Sequence, residues 1–453
     1  MQRPLIAVLI ASAFLTLNAQ AADLIQVYQQ ALANDATYAS ARSSLVAGQE
    51  RITQGRAGLL PSISANGSIT RNRGNISPDN EGELTVTPAG ELAFVNGINQ
   101  DNTTKVYSVT LTQPVFNLGL WQTYQQSKLA QAIAEATFSQ ARLDLITRVA
   151  QAYFDVLTAQ DNLTSTQAQK VATTEQLASA KRNFEVGTQT ITDTHEAQAA
   201  YDLVVAQEFA AINDLENKRT ALQVIVGKAP GELAPLRTGV TISPPEPAVV
   251  EPWIASAEGQ NYSVISAELS LEIAKREIAR NRANHLPTAN LNVTALRNDV
   301  SGMNGGVGNV TTNKGIGLSV NVPIFSGFAV TSKVRETIAL EDKARNDLEA
   351  TKRAAAQNAR QAYLGMNSGL AQVKALEAAE VSSKSSLDSN KLGYQVGVRI
   401  NIDVLNAQKL LYSTQKDLSK ARYDTIMNGL RLKSAAGTLK EEDLGPVNAL
   451  LAH

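Results

Sequence analysis

Ile316-Gly317-Leu318-Ser319-Val320-Asn321-Val322 alternates an apolar residue with a small or polar one at every step. Three other stretches, 63–70, 106–112 and 289–295, share the pattern. Successive residues of a strand point to opposite faces, so each stretch has one apolar face and one face of Ser, Thr and Asn with almost no charge. The strands are predicted near 62–71, 104–113, 288–297 and 315–325. Each is about 10 residues long with its flanks, enough to cross a bilayer as a tilted strand. Four strands are too few to close a barrel. An open sheet edge in lipid costs several kcal/mol for every unpaired backbone group. If these strands lie in a membrane, several copies of the chain must share one barrel.

The second half of the chain echoes the first. Leu60-Pro61-Ser62 corresponds to Leu286-Pro287-Thr288, and Gln113-Pro114-Val115-Phe116 to Val322-Pro323-Ile324-Phe325. Further on, Phe184-Glu185-Val186-Gly187 corresponds to Tyr394-Gln395-Val396-Gly397, and Ile191-Thr192-Asp193 to Asn401-Ile402-Asp403. The two glycines stand 210 positions apart, as do the two aspartates. A shared order of landmarks at constant offset signals duplication.

Long runs without Gly or Pro, at 120–186 and 191–226 and again at 328–364 and 400–427, read as helices far longer than the usual 10–14 residues. The first would span roughly 100 Å if continuous. Its heptad positions include Leu129, Ile133, Ala136, Leu143, Ala150, Phe154 and Leu157. Gly365 and Gly369 are expected to interrupt the third run. Segments 23–60 and 260–286 read as the helices entering each strand pair. Gly187 and Gly397 predict short turns between antiparallel helices, with these turns and the strands at opposite ends of a rod.

Only 5% of residues are aromatic, which suits closely packed helices better than a thick core. Arg3, the apolar run 5–17 and Ala19-Gln20-Ala21 form a secretory signal. The chain holds no Cys, which predicts no disulfide, no thiolate metal site and no N-terminal lipid anchor. Beyond the signal no apolar run reaches the length of a membrane-spanning helix. A formal charge of −1 gives no sign of a nucleic-acid surface. The organisation is thus a signal peptide at 1–21, a first repeat at 22–237, a Pro-rich linker at 238–252, a second repeat at 253–443 and a tail at 444–453. The loop at 73–103 carries Asp79, Glu81, Glu83 and Glu91. The glycine-rich loop at 301–308 precedes a strand rather than a helix, so it reads as a plain mobile loop and not a phosphate cradle.

Residues 394–405 (Tyr-Gln-Val-Gly-Val-Arg-Ile-Asn-Ile-Asp-Val-Leu) and 435–444 (Ala-Ala-Gly-Thr-Leu-Lys-Glu-Glu-Asp-Leu), together with the landmarks around Gly187, carry a family resemblance. The chain resembles the TolC family of bacterial outer-membrane exit ducts over nearly all its mature length, in its non-lipidated branch. The resemblance implies a mostly α-helical chain with transmembrane β-strands. Three copies would form a homotrimer whose 12-stranded β-barrel, embedded in outer-membrane lipid, continues as a helical tunnel across the periplasm. It also implies a periplasmic adaptor protein and an inner-membrane transporter, either ABC-type or proton-driven, with cargo of small toxic compounds, secreted proteins or both.

By match to the family, Tyr394, Arg399 and Asp403 lie at a periplasmic gate, with Gln176, Thr192 and Asp193 as partners. Arg is always charged and can grip a carboxylate bidentately, which suits a directional latch. Asp403 would form a ring of like charges that attracts cations. A second acidic ring, present in the family type, is replaced here by the neutral Asn406. Its repeat counterpart is Glu196, so a carboxylate has shifted to the neighbouring helix. Val186-Gly187-Thr188 and Val396-Gly397-Val398 resemble tip turns where an adaptor docks. His195, His285 and His453 form no pair with metal-ligand or catalytic spacing, so neither a cofactor nor bond chemistry is expected. The competing reading is a structural or adhesive coiled-coil surface protein, which explains the helices but not the strands.

Overall fold

The structure is a computed structural model that describes residues 21–77, 79, 82–87, 89–94, 98–302 and 308–452. Residues 1–20 of the expected signal peptide, residues 303–307 of the glycine-rich loop, Glu81 and His453 lie outside the described residues. In chain order the elements are α1 (Leu24–Asn34), α2 (Ala36–Ala57), β1 (Ser62–Ile76), β2 (Leu84–Val86), β3 (Leu92–Phe94), β4 (Ile98–Phe116), α3 (Leu118–Glu185) and α4 (Ile191–Val226). Then follow α5 (Glu251–Gln260), α6 (Tyr262–Arg282), β5 (Thr288–Ser301), β6 (Asn309–Asn321), α7 (Ala329–Gln395), α8 (Asn401–Ala435) and α9 (Leu444–Asn448). Two compact units emerge, and each draws on both halves of the chain. One takes the residues up to Leu45 with Ala136–Ile265 and Glu349–His453, the other Val46–Glu135 with Ser266–Leu348.

The second unit holds a four-stranded antiparallel sheet in the order β1-β4-β5-β6. Its register decides what the two faces are. Ile63 pairs with Leu111, Leu111 with Val293 and Val293 with Ile316, so one apolar row runs across all four strands. One step along, Ser64, Thr110, Thr294 and Gly315 make the matching row of the other face. Neither row contains a charge, and directly opposed residues share a face. β1 and β6 are edges with no partner strand among the described residues. Toward the hairpin loops the strands run past the predicted limits because pairing continues into both arms, as far as Ile76 with Ile98 in the first, whereas β6 ends at Asn321, short of the predicted 325, where its pairing with Thr288 stops. The ladder shifts register between Pro114 and Phe116, where a proline without an N–H fits a bulge. The acidic loop at 73–103 is not wholly irregular, since Leu84–Val86 and Leu92–Phe94 pair as a small exposed hairpin.

In the same unit Glu277 gathers three donors on one carboxylate. Arg280, Gln126 and Asn281 all donate to it, at 2.5–2.9 Å. Burial alone would raise its pKa, but these bonds together outweigh that and hold it down at about 2.

The helical unit is built around α3. Leu145, Ile146, Val149, Tyr153 and Phe154 are fully buried against α1, α4, α8 and the chain's last residues. Tyr153 donates its hydroxyl to Ala234 O at 2.8 Å and to Ala22 O at 3.2 Å, and Phe154 lies 5.5 Å from the ring of Tyr423. The tail is packed, with Leu444 and Leu451 in the same core. The expected single helix over 23–60 is broken at Asp35. Its buried carboxylate takes the Tyr38 N–H at 2.6 Å, starting α2 afresh, and meets Arg148 at 2.9 Å.

α7 runs unbroken from Ala329 to Gln395, so Gly365 and Gly369 do not interrupt it. They make room instead. A Cβ on Gly369 would overlap the Thr425 side chain of α8, and one on Gly365 would approach Asn428 Nδ2 to 3.2 Å. Close helix contact is the return for about 1 kcal/mol of lost helix propensity at each. Pro252 sits in the first turn of α5, where no intrahelical donor is needed, and the chain before it is irregular from 238 to 250.

Candidate functional site: the helix tips

Both long helices that end at the tips stop in the same way. At the end of α3, Gly187 N–H donates to Phe184 O and Thr188 N–H to Asn183 O. At the end of α7, Gly397 N–H donates to Tyr394 O and Val398 N–H to Gly393 O. Each is a paired C-terminal closure around a left-handed glycine, with φ of 75° at Gly187 and 79° at Gly397. Around each turn the side chains of Val186, Thr188, Val396 and Val398 are exposed. One turn therefore presents bare glycine between solvent-facing Val186 and Thr188, the other between Val396 and Val398.

The helices restart differently. Thr190 caps α4: its Oγ1 accepts the Asp193 N–H at 3.3 Å, while the Asp193 carboxylate accepts the Thr190 N–H at 3.1 Å and hydroxyl at 2.7 Å. The Asp193 side chain is thereby committed to its own turn. α8 begins after Ile400, which has no side-chain acceptor. Only the Asp403 carboxylate reaches back, to the Ile400 N–H at 3.5 Å.

The sequence-derived gate residues form three separate arrangements within the chain. Arg399 and Asp403 stand one turn apart, with 3.7 Å between Nη1 and Oδ2, and Arg399 is well exposed. This is a loose pair, not a bidentate one, and at such exposure it is worth about 0–1 kcal/mol. Tyr394 accepts a long bond of 3.4 Å from Asn183 Nδ2. Gln176 meets none of these residues; its amide donates to Asn401 Oδ1 at 2.6 Å. The side chains of Thr192 and Glu196 form no hydrogen bond or ion pair among the described residues.

Asn401, Asn183 and Gly393 were not singled out from the sequence. Gly393 leaves space for the Arg399 stem, since a Cβ there would lie 2.7 Å from Arg399 Cγ. Asn401 could have been found by laying the repeats over each other, because its counterpart is the apolar Ile191.

Apolar packing beneath the tips is thin. Leu177, Ala180, Ala197 and Leu405 form one small cluster, and Leu387, Val404, Ala407 and Leu411 another that holds Tyr394. The same helices also bury polar side chains here, Thr173 and Gln176 on α3 and Asn401, Gln408 and Thr414 on α8. Gln408 Oε1 and Thr194 Oγ1 are buried without a partner among the described residues. Each such group costs about 1–3 kcal/mol. Few apolar contacts and unsatisfied groups put this end among the segments that open most cheaply.

Among the described residues no group of three His, Asp or Glu side chains could hold a metal ion. His195 and His285 are exposed. No described helix is long and apolar enough to cross a membrane.

A sequence profile described as "Outer membrane efflux protein" matches residues 27–228 and 253–438. The chain is 34% identical to the outer membrane protein TolC of Escherichia coli over 459 aligned positions, covering 99% of this chain and 89% of that protein. It is 31% identical to the alkaline protease secretion protein AprF of Pseudomonas aeruginosa, covering 95% and 88%. Its fold matches the crystal structure of the Campylobacter jejuni CmeC outer membrane channel with a TM-score of 0.75 at 18% identity, covering 95% of this chain and 90% of that one.

Proposed function

The chain belongs to the outer membrane efflux protein family, and on that premise we propose that it is an outer-membrane exit duct for efflux of small toxic compounds and for type I secretion of proteins. The observation that carries this is the sheet. It has one apolar face, one hydroxyl- and amide-rich face, and two unpaired edges. An apolar outer face suits lipid and an uncharged polar inner face suits a water-filled lumen. Bare edges cannot remain in lipid, so the wall closes only when β6 of one copy pairs with β1 of the next. Three copies supply 12 strands, a size within the range of known barrels. A coiled-coil adhesin has no use for such a sheet.

The helix tips are the gate. Arg399, Asp403 and Tyr394 stand opposite Thr192, Asp193 and Glu196 as helices of adjacent hairpins converge, with Gln176 bound to Asn401 behind them. Individual contacts are weak, but rotational symmetry repeats each of them. A total of a few kcal/mol holds the shut state and still yields to a partner that binds the open one better. The partner is a periplasmic adaptor that seats on the turns Val186-Gly187-Thr188 and Val396-Gly397-Val398, whose exposed valines offer it an apolar foothold. An inner-membrane transporter supplies energy and cargo choice.

A deletion strain tested for both toxic-compound sensitivity and loss of secreted proteins checks this reading. Export lost in at least one assay is the expected result; an unaffected strain would overturn it. For the gate, Arg399→Ala in planar bilayers is expected to raise resting conductance several-fold.

A further inference from the structure

We infer that Asn401 is a positioning residue of the closed tip: it ties the first turn of α8 to α3 and α4 and so sets where Arg399 and Asp403 stand. This rests on the gate reading and adds to it a residue that bears no charge and faces no lumen.

The side chain of Asn401 is 0% exposed and uses both ends of its amide. Its Oδ1 accepts from Gln176 Nε2 of α3 at 2.6 Å, and its Nδ2 donates to Asp193 O of α4 at 3.1 Å. One residue thus binds three helices. The repeat makes the choice informative. The equivalent position of the first half is Ile191, which is 47% exposed. Burying the amide and exposing the isoleucine inverts the usual preference. The helix starts explain the inversion. α4 has a local cap in Thr190 and Asp193 and needs no tertiary support. α8 starts at Ile400 with no side-chain acceptor, so its first turn is held from outside, by Asn401. Arg399 and Asp403 flank this turn within two residues. When the tie is lost, the turn frays and the two charges lose their fixed place. Gln408 Oε1 and Thr194 Oγ1, buried on α8 and α4 without a partner among the described residues, add no tie of their own.

The test uses the full-length assembled protein in planar bilayers. Asn401→Ala and Gln176→Ala are each expected to raise resting conductance threefold or more, with the double variant no higher than the larger single one. Asn401→Asp supplies a readout that a merely structural role would not move. A buried carboxyl can donate to Asp193 O only when protonated. This variant is therefore expected to match wild type near pH 5 and to conduct more as pH rises to 8. Wild type recorded in parallel accounts for Glu175, Asp193, His195, Glu196, Arg399 and Asp403. If Asn401→Ala conducts like wild type while Arg399→Ala conducts more, the tie is overturned and the gate stands. If neither rises, both fall. Should the alanine variants not assemble, the Asn401→Asp profile decides alone, and a profile parallel to wild type overturns the inference.

Discussion

Gly187 and Gly397 stand 210 positions apart and adopt the same left-handed backbone, φ 75° and 79°. Nothing lies within 4 Å of where a Cβ would project from either. Substitution there meets backbone strain alone, with no steric clash. Gly397→Ala is expected to cost about 1 kcal/mol, released by fraying of the turn. Amide exchange at Val398 should quicken about fivefold, and adaptor affinity should fall. Unchanged exchange would show that the turn carries no strain.

Asn406→Asp restores a second acidic position one turn beyond Asp403, on an exposed site. Adding one negative charge per copy should tighten block by multivalent cations roughly tenfold, about 1.4 kcal/mol. Single-channel titration with a trivalent cation measures it. Equal block would place Asn406 away from the ion path.

Glu277 gives a pH signature. Its pKa is held at about 2, well below the usual glutamate range, so the ionised form stabilises the fold. That contribution is complete above about pH 4.5 and is lost as pH falls toward 2. The group is partly solvated, so about 1–2 kcal/mol is the realistic size. Glu277→Gln should lower the apparent melting temperature at pH 7 and leave it nearly unchanged near pH 2. A deficit of equal size at both pH values would assign the effect to shape instead of charge.

Gly369→Val forces a branched side chain into Thr425 and should destabilise by about 1–3 kcal/mol. Thr425→Ala in the same chain should recover part of the loss, because the two share one space. Purely additive losses in melting experiments would rule the contact out.

Much of this architecture was legible because it rests on periodicity. Alternation at 316–322 and the absence of Gly and Pro over 120–186 name strand and helix without reference to anything distant. The duplication located both tip turns. What escaped depends on neighbours far away in sequence. Gly369 reads as a helix breaker until Thr425 is seen against it, and Asp35 reads as mid-helix until Tyr38 and Arg148 claim its carboxylate. Asn401 looks like an ordinary polar residue in a polar stretch; its worth appears only when Gln176, 225 positions earlier, is found bonded to it.

The bare edges of β1 and β6 also have a genetic consequence. A subunit with a proline in β6 could still offer β1 to a sister, enter the ring and spoil it. In a cell making both kinds of subunit, each defective copy would disable its healthy companions, so the loss of ducts would outrun the share of faulty genes. Alleles with lesions on that strand should therefore be dominant, whereas those that prevent the chain from folding at all should be recessive.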